Sequence, residues 1–536
     1  VSGAIAEPGA LAPAGDELDT LADEVLAIAG PPIDGWAVAA TLESRGVRDS
    51  DAVTRYGCDD VFDLAERVLV RCRVRARPVP SVPAPGRSLR LRMRRFGGFY
   101  ARGGFFFVSM AMQIAALLVF GYAQWASVHF TLTQASVVAL AASASFIASA
   151  GVVQALGQLG PRFREPGKGM LTERLLWSCL AVGAIGAVVV GGLLVGMNAL
   201  LGAPYPGHLV AIGIAYYGLL AALGLANGVL YMLRAYAAMA LATVAGLASV
   251  LLLHGVAGLG IYPAQWIGLG VSVAVALGWG AAVLRRDARR TSGDLRVARF
   301  EPRRLLVRAA MPSFWFGTLY FAFVLCDRLV VWSAGDHSLP LWFNVGYELG
   351  LDLALVAVVP GLAFLEPVVE AFSARVFSTQ ERFAADAVAR YNADLVRFHR
   401  RRLLGAAGFA LAGVALALVA VAALDAAGAL GALASFAHGT VSPRVFAWGA
   451  AGYVLLTLGL LSASVLMALG RPWPVVGALV ASIVADAAVG IVLSRTGASW
   501  EAVVGLAAGG AVFAASTTAM AFRTLARSDY HQLASY

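Results

Sequence analysis

The sequence predicts an all-α polytopic membrane protein, with about twelve transmembrane helices in two six-helix bundles and a small helical module at the N-terminus. Three observations predict it. Charged residues are 14% of 536 and apolar residues 59%, whereas a soluble domain carries about 25% charge. Apolar segments long enough to cross a bilayer recur along the chain. The arginines fall between those segments in an alternating pattern. The net charge of +9 is almost all arginine, Lys168 being the single lysine. Its placement beside apolar spans fits topology and anionic headgroups, and no nucleic acid is expected as a partner.

Residues 1–75 read as a cytoplasmic helical module. From Asp16 to Ala29, Leu18, Leu21, Val25 and Ile28 share one stripe. Asp34 suits the N-cap of a second helix ended by Gly46, and Asp60 that of a helix running to about Cys72. Asp49 to Tyr56 reads as a short helix closed by Gly57. No catalytic constellation is present, and a docking or regulatory bundle is the plain reading. The module is too polar for a secretory h-region, so it is expected to stay on the side of synthesis. Residues 76–103 form a linker, stiffened by Pro78, Pro80, Pro83 and Pro85 and followed by Arg87, Arg90, Arg92, Arg94 and Arg95.

The apolar spans follow at 104–126, 134–156, 175–200, 208–233, 236–254 and 265–284, then at 312–333, 341–366, 403–424, 445–469, 474–494 and 500–523. With the N-terminus inside, the inner loops hold Arg162, Arg164, Lys168 and Arg234, the runs Arg285 to Arg308 and Arg375 to Arg402, and Arg471, Arg523 and Arg527. The outer loops hold chiefly Arg444 and Arg495. That asymmetry places both termini, including the tail 524–536, in the cytoplasm. The inner loop 285–311 divides the spans into halves at 104–284 and 312–523, a division that many transporters share. Residues 370–402 carry apolar positions every three to four residues with arginines between, as in an amphipathic helix on the inner leaflet or a loop helix without lipid contact. The small-residue stretch 425–440 reads as a loop or a short re-entrant piece.

Charges inside hydrocarbon cost at least about 2.5–3.5 kcal/mol each on insertion scales. The seventh span carries Asp327 and Arg328, the eighth Glu348 and Asp352 four residues apart, and the eleventh Asp486. At about 1.5 Å per residue, Arg328 and Glu348 lie at depths differing by about 3 Å, which a guanidinium spans. Arg328 is therefore expected to pair with Glu348 or Asp352 across two helices. Two readings stand side by side: a site for a coupling cation or proton with Arg328 holding an anionic sugar or tuning the acids, and a structural ion pair locking the helices. Asn227, with Gln113, Gln154 and Asn198, lines a cavity or joins helices. Pro360 suits a kink below the acids, and Pro312 a helix start. Cys58, Cys72, Cys179 and Cys326 form no CxxC and no cluster with histidine, so neither a metal nor a cofactor is expected. There is no P-loop for an ATP-driven pump, no dinucleotide fingerprint and no soluble catalytic domain, so no enzyme is expected.

At the seventh and eighth spans the sequence resembles a known family. Phe316–Trp332, FGTLYFAFVLCDRLVVW, is similar to the seventh-span signature of the PelG-type exopolysaccharide exporters: an aromatic-rich stretch, an Asp followed by a basic residue, then an aromatic. Tyr347–Glu370, YELGLDLALVAVVPGLAFLEPVVE, resembles the next span, with a Tyr-acidic pair, a central Pro and a closing Val-Glu. Val229–Tyr236, VLYMLRAY, resembles the exit of the fourth. The specific part is 314–370, and the N-terminal module lies outside the family core. The resemblance implies the MOP flippase fold, two six-helix bundles around a central cavity, in the bacterial cytoplasmic membrane. It carries over Asp327, Arg328, Tyr347, Glu348 and Glu370, but not Asp352. It also implies export of a polysaccharide assembled by a cytoplasmic glycosyltransferase, with membrane lipids and the glycan as the other partners. The expected activity is a secondary transporter rocking its two halves. The alternatives are a lipid-linked oligosaccharide flippase, an ion-coupled drug antiporter and a non-transporting scaffold of a polysaccharide synthase.

Overall fold

Long runs of Ala, Leu, Val and Gly between few charges leave the backbone one way to satisfy itself without water, and the chain is helical nearly throughout. The computed structural model describes residues 15–29, 32, 34–75, 89–163, 169–290, 303–335, 338–380 and 388–528. It divides into two units, Val1–Arg94 with Ser373–Leu395, and Arg95–Phe372 with Val396–Tyr536.

In the first unit, α1 (Gly15–Ala29), α2 (Gly35–Ser44), α3 (Asp49–Tyr56) and α4 (Val61–Arg75) close around a core of Leu18, Val25, Leu42, Leu64 and Val68. The expected caps are present. Asp34 accepts from Ala37 N at 2.9 Å, Asp60 accepts from Asp63 N at 2.7 Å, and Gly46 and Gly57 take φ of +90° and +61°. Cys58 and Cys72 are buried here, and burial pushes both thiols up, away from reactive thiolates.

The second unit carries the long helices: α5 (Leu89–Phe120), α6 (Leu132–Phe163), α7 (Gly169–Leu200), α8 (Gly207–Met232), α9 (Tyr236–Val250) and α10 (Ile261–Arg290), then α11 (Arg303–Trp332), α12 (Val345–Ala363), α13 (Leu365–Gln380), α14 (Val388–Ala426), α15 (Ala434–Ala437), α16 (Val441–Ala468), α17 (Pro472–Thr496) and α18 (Val503–Leu525). Among the described residues, 11 helical segments are long and apolar enough to cross a membrane. The 32-residue α5 is a further long helix at the first expected span.

Several boundaries differ from the sequence reading, each for a local reason. The first span stops at Phe120, not at 126: Gly121 takes φ +79°, and 121–130 fold back into a turn in which Val128 N donates to Gly121 O at 2.9 Å. Pro312 is not at a helix start but inside α11, which begins at Arg303. The fifth span ends in a π-helical turn, Leu251–Val256. At 425–440 there is a 3-10 turn, Gly431–Leu433, and the one-turn α15. The stretch 370–402 is not one amphipathic helix. It is shared by α13 and α14, tied by Arg375 to Asp394 at 2.6 Å, and residues 381–387 lie outside the described residues. The Pro/Arg linker before 89 and the tail after 528 also lie outside them.

In the N-terminal bundle α6 and α10 pack on α8, and α9 packs on α10; in the C-terminal bundle α16 and α17 pack on α18, and α12 on α16. The bundles meet where α6 runs along α11. Small residues permit that approach: a Cβ on Gly317 would sit 2.5 Å from Ala150 O, and one on Gly151 2.5 Å from Thr318 Oγ1. Gly317→Val should therefore lower stability in detergent by about 1–3 kcal/mol, the usual cost of overpacking. Gly218→Val, on α8 where an added Cβ meets nothing within 4 Å, should leave the thermal midpoint nearly unchanged. Equal effects of the two changes would remove the close-packed seam.

Candidate functional site

Among the described residues of the long helices, ionisable groups gather where α11, α12, α16 and α17 converge. The geometry there begins with local structure. Asn344 caps α12, its side chain accepting from Tyr347 N at 3.1 Å, which places Glu348 in the first turn. Asp352 follows one turn later on the same face. On α11, Arg328 and Trp332 are likewise four apart, so both reach towards Glu348.

Glu348 is 5% exposed and receives two donors: Arg328 Nη1 on Oε2, and Trp332 Nε1 on Oε1 at 2.9 Å. Arg328 Nη2 donates to Asp352 Oδ1 at 2.7 Å. The Asp352 side chain is 55% exposed, against 13% for Arg328. Arg328 thus has one buried partner and one that reaches open space. Behind the pair, Asp327 is fully buried and accepts from the Tyr347 hydroxyl on Oδ2, while its Oδ1 lacks a donor among the described residues. The Tyr453 hydroxyl of α16 is buried beside Arg328 without closing a hydrogen bond of standard geometry.

The sequence-derived residues separate into three groups. Asp327, Arg328, Tyr347, Glu348 and Asp352 are brought together. Asp486, on α17, is buried beside Asp327 and the Cys326 thiol, a weak donor, and among the described residues neither of its oxygens closes a hydrogen bond of standard geometry. Gly505 and Gly509 on α18 leave the room it occupies; a Cβ on Gly505 would lie 2.6 Å from Asp486 Oδ1. Glu370 and Asn227 are placed elsewhere. Glu370 is half-buried on α13, about 33 Å along the helical path from Glu348 at 1.5 Å per residue. Asn227 is on α8 in the other bundle, its Oδ1 buried without a partner among the described residues.

Sequence reasoning missed Trp332 and Tyr453. The four-residue spacing of Trp332 from Arg328 on α11 was a usable signal. Tyr453 lies on a distant span, and nothing local marks it.

The N-terminal bundle holds a second polar network, built of neutral groups. Gln113 Nε2 donates to Gln124 Oε1 at 2.7 Å, Gln124 Nε2 to Ser272 Oγ at 2.6 Å, and Ser272 Oγ to Ala242 O at 2.7 Å. Gln265 Nε2 donates to Ala123 O at 2.7 Å, and Gln265 Oε1 accepts from the Tyr216 hydroxyl. These bonds pin the 121–130 turn to α9 and α10.

This architecture has counterparts among solved structures. The chain matches an outward-facing multidrug resistance MATE family transporter of the MOP superfamily at TM-score 0.52 and 14% identity, covering 81% of this chain and 96% of that one. A mutant of the Vibrio cholerae MATE transporter VcmN matches at TM-score 0.56 and 16% identity, covering 82% and 98%. The chain has the MATE fold. A MOP superfamily transporter from Pyrococcus furiosus, described as having a binding pocket of reversed polarity, shares it at TM-score 0.54 and 15% identity, over 80% of this chain and 96% of that one. No family model matches the sequence, and no curated protein matches it. The fold the chain shares with these transporters is one of two helical bundles.

Removing one member of a buried ion pair strands the other at a cost of about 3–5 kcal/mol. Arg328→Met should therefore destabilise the protein strongly, and Arg328→Met with Glu348→Gln should recover most of the loss. Chemical denaturation in detergent micelles measures both. If the double variant is no more stable than the single one, Glu348 is not the partner whose charge Arg328 balances.

Proposed function

We propose that the chain is a secondary transporter that exports an exopolysaccharide or related glycan across the bacterial cytoplasmic membrane, its two bundles rocking about the α6–α11 seam. The observation that carries this reading is the half-open ion cluster: Arg328 bound to buried Glu348 and, on its other nitrogen, to exposed Asp352. Ionised groups held in hydrocarbon face a passage or a partner. A guanidinium flanked by carboxylates offers donors and acceptors in the pattern a hydroxyl-rich or acidic sugar complements. Further support comes from the resemblance to PelG-type exporters, because four of its carried positions, Asp327, Arg328, Tyr347 and Glu348, belong to this cluster. In the same reading Asp327 and Asp486 take up the coupling proton or cation, their buried oxygens being short of donors. Both termini face the cytoplasm, and the cytoplasmic glycosyltransferase that makes the polymer is the partner.

A second reading has a specific observation behind it. The solved neighbours include a multidrug resistance transporter, so an ion-coupled drug antiporter fits the same fold. The two part in one experiment. Deleting the gene should abolish secreted polysaccharide and leave sensitivity to lipophilic cations such as ethidium unchanged. Complementation with Asp352→Asn, at normal protein level, should restore no more than about a tenth of the export, the effect of ~1.4 kcal/mol on a rate. Unchanged secretion with raised drug sensitivity would replace the glycan reading by the antiporter.

A further inference from the structure

The helical module of α1 to α4 leaves a set of large apolar side chains outside its own core. Trp36 is 72% exposed, Phe62 42%, Val70 60% and Val74 82%. None of them belongs to the buried cluster that closes the module. The Trp36 and Phe62 rings meet edge to face, 4.7 Å between centroids at 61°, at the adjoining starts of α2 and α4. From Phe62 the stripe continues along α4 through Glu66, Val70 and Val74, the four-residue spacing of one helical ridge, which winds about 40° per step. Twelve residues at 1.5 Å each give it a length of about 18 Å, three helical turns.

Charge marks one end of this stripe. Asp34, Asp59, Asp60 and Glu66 are all exposed around the aromatic pair. Glu66 lies against the α2 start, its Cγ 3.5 Å from where a Cβ on Gly35 would be. Among the described residues none of these four acids is in an ion pair. Five of the module's arginines are held by other carboxylates, among them Arg45 by Glu24 at 3.2 Å, Arg67 by Asp63 at 2.8 Å and Arg71 by Asp19 at 3.0 Å. A negative field is thus left uncompensated at the end where the largest exposed aromatic side chain stands.

We propose that this face, Trp36 and Phe62 continued by Val70 and Val74, docks an amphipathic helix of a partner protein that carries arginine or lysine at the end meeting Trp36. The apolar stripe accepts the partner's apolar face as a helix laid along α4. Trp36 is an anchor of the type that dominates interface energetics, and its face stacks a guanidinium. The acidic rim orients the cationic end and repels an anionic bilayer, so a membrane surface is the poorer occupant. The inference does not rest on the transport reading.

The full chain in phosphatidylcholine nanodiscs is titrated into fluorescein-labelled synthetic helices of about 18 residues, long enough for the stripe. One has a leucine stripe with arginines at one end, and a second has glutamates in their place. Anisotropy should show the arginine helix binding at least about tenfold more tightly than the glutamate helix, a difference of ~1.4 kcal/mol. Trp36→Ala with Phe62→Ala should abolish that binding. Asp59→Asn, Asp60→Asn and Glu66→Gln together should weaken it and flatten its salt dependence while the aromatic pair stays in place. All these side chains are exposed, so circular dichroism should be unchanged. No binding of the arginine helix, equal binding of both helices, or binding that survives loss of the aromatic pair each overturns the proposal. So does Trp36-dependent self-association without peptide, or Trp36-dependent capture by phosphatidylglycerol vesicles.

Discussion

The bond between Arg328 and Glu348 joins α11 to α12 where water is scarce, and the arrangement of the C-terminal bundle follows from what that bond requires. An isolated charge in such a place costs several kcal/mol, so both partners need fixed geometry and full hydrogen bonding. Trp332 supplies the second donor to Glu348, and the Asn344 cap sets the turn that aims it. Tyr347, one residue before Glu348, points its hydroxyl to Asp327, one residue before Arg328. The same two helices are therefore joined by four side-chain bonds, two from Arg328 to carboxylates and two from the neutral donors Trp332 and Tyr347. Asp352 completes the set as its exposed member.

The two bundles meet their polar demands differently. In the N-terminal one, amides and hydroxyls bond to one another and to backbone carbonyls, as in the chain from Gln113 through Gln124 and Ser272 to Ala242. Neutral networks of this kind cost little to bury once satisfied, and they fix a shape. The C-terminal bundle keeps ions, and some of their oxygens and nitrogens, including Asp327 Oδ1, Arg328 Nε and both oxygens of Asp486, stay without partners among the described residues. Among the described residues the N-terminal bundle also leaves polar atoms such as Asn227 Oδ1 and Trp266 Nε1 unpartnered, so the two bundles differ in the charge of their buried groups rather than in how completely those are satisfied. Between them, glycines on α6 and α11 bring backbones close without charged contacts, a seam suited to tilting of one rigid body on another.

Local rules were legible wherever a single residue controls a single boundary. Asp34 and Asp60 cap helices, Gly46 and Gly57 end them, and the apolar spans follow the positions expected from length and charge. Gly121 is the same kind of signal, but it sits in an apolar run whose hydropathy hides the turn. Pro312 misled in the opposite sense, because α11 begins well before the apolar span does. Within the site, depth along two helices was enough to bring Arg328 to Glu348 and Asp352. Helical rise alone also separates Glu370 from them. Tyr453 and the seat of Asp486 against Gly505 were not legible, since both depend on which helices become neighbours.

By itself, then, the sequence determined most of the helices and the pairing of Arg328 with Glu348 and Asp352, because each is set by periodicity, backbone hydrogen bonding and helical rise along one stretch of chain. Only the tertiary structure decided that α16 and α17 close around α11, that Asp352 faces open space while Glu348 does not, and that Trp36 stands outside the core of its module. Those are properties of faces, and a helix acquires a buried face only when another helix covers it.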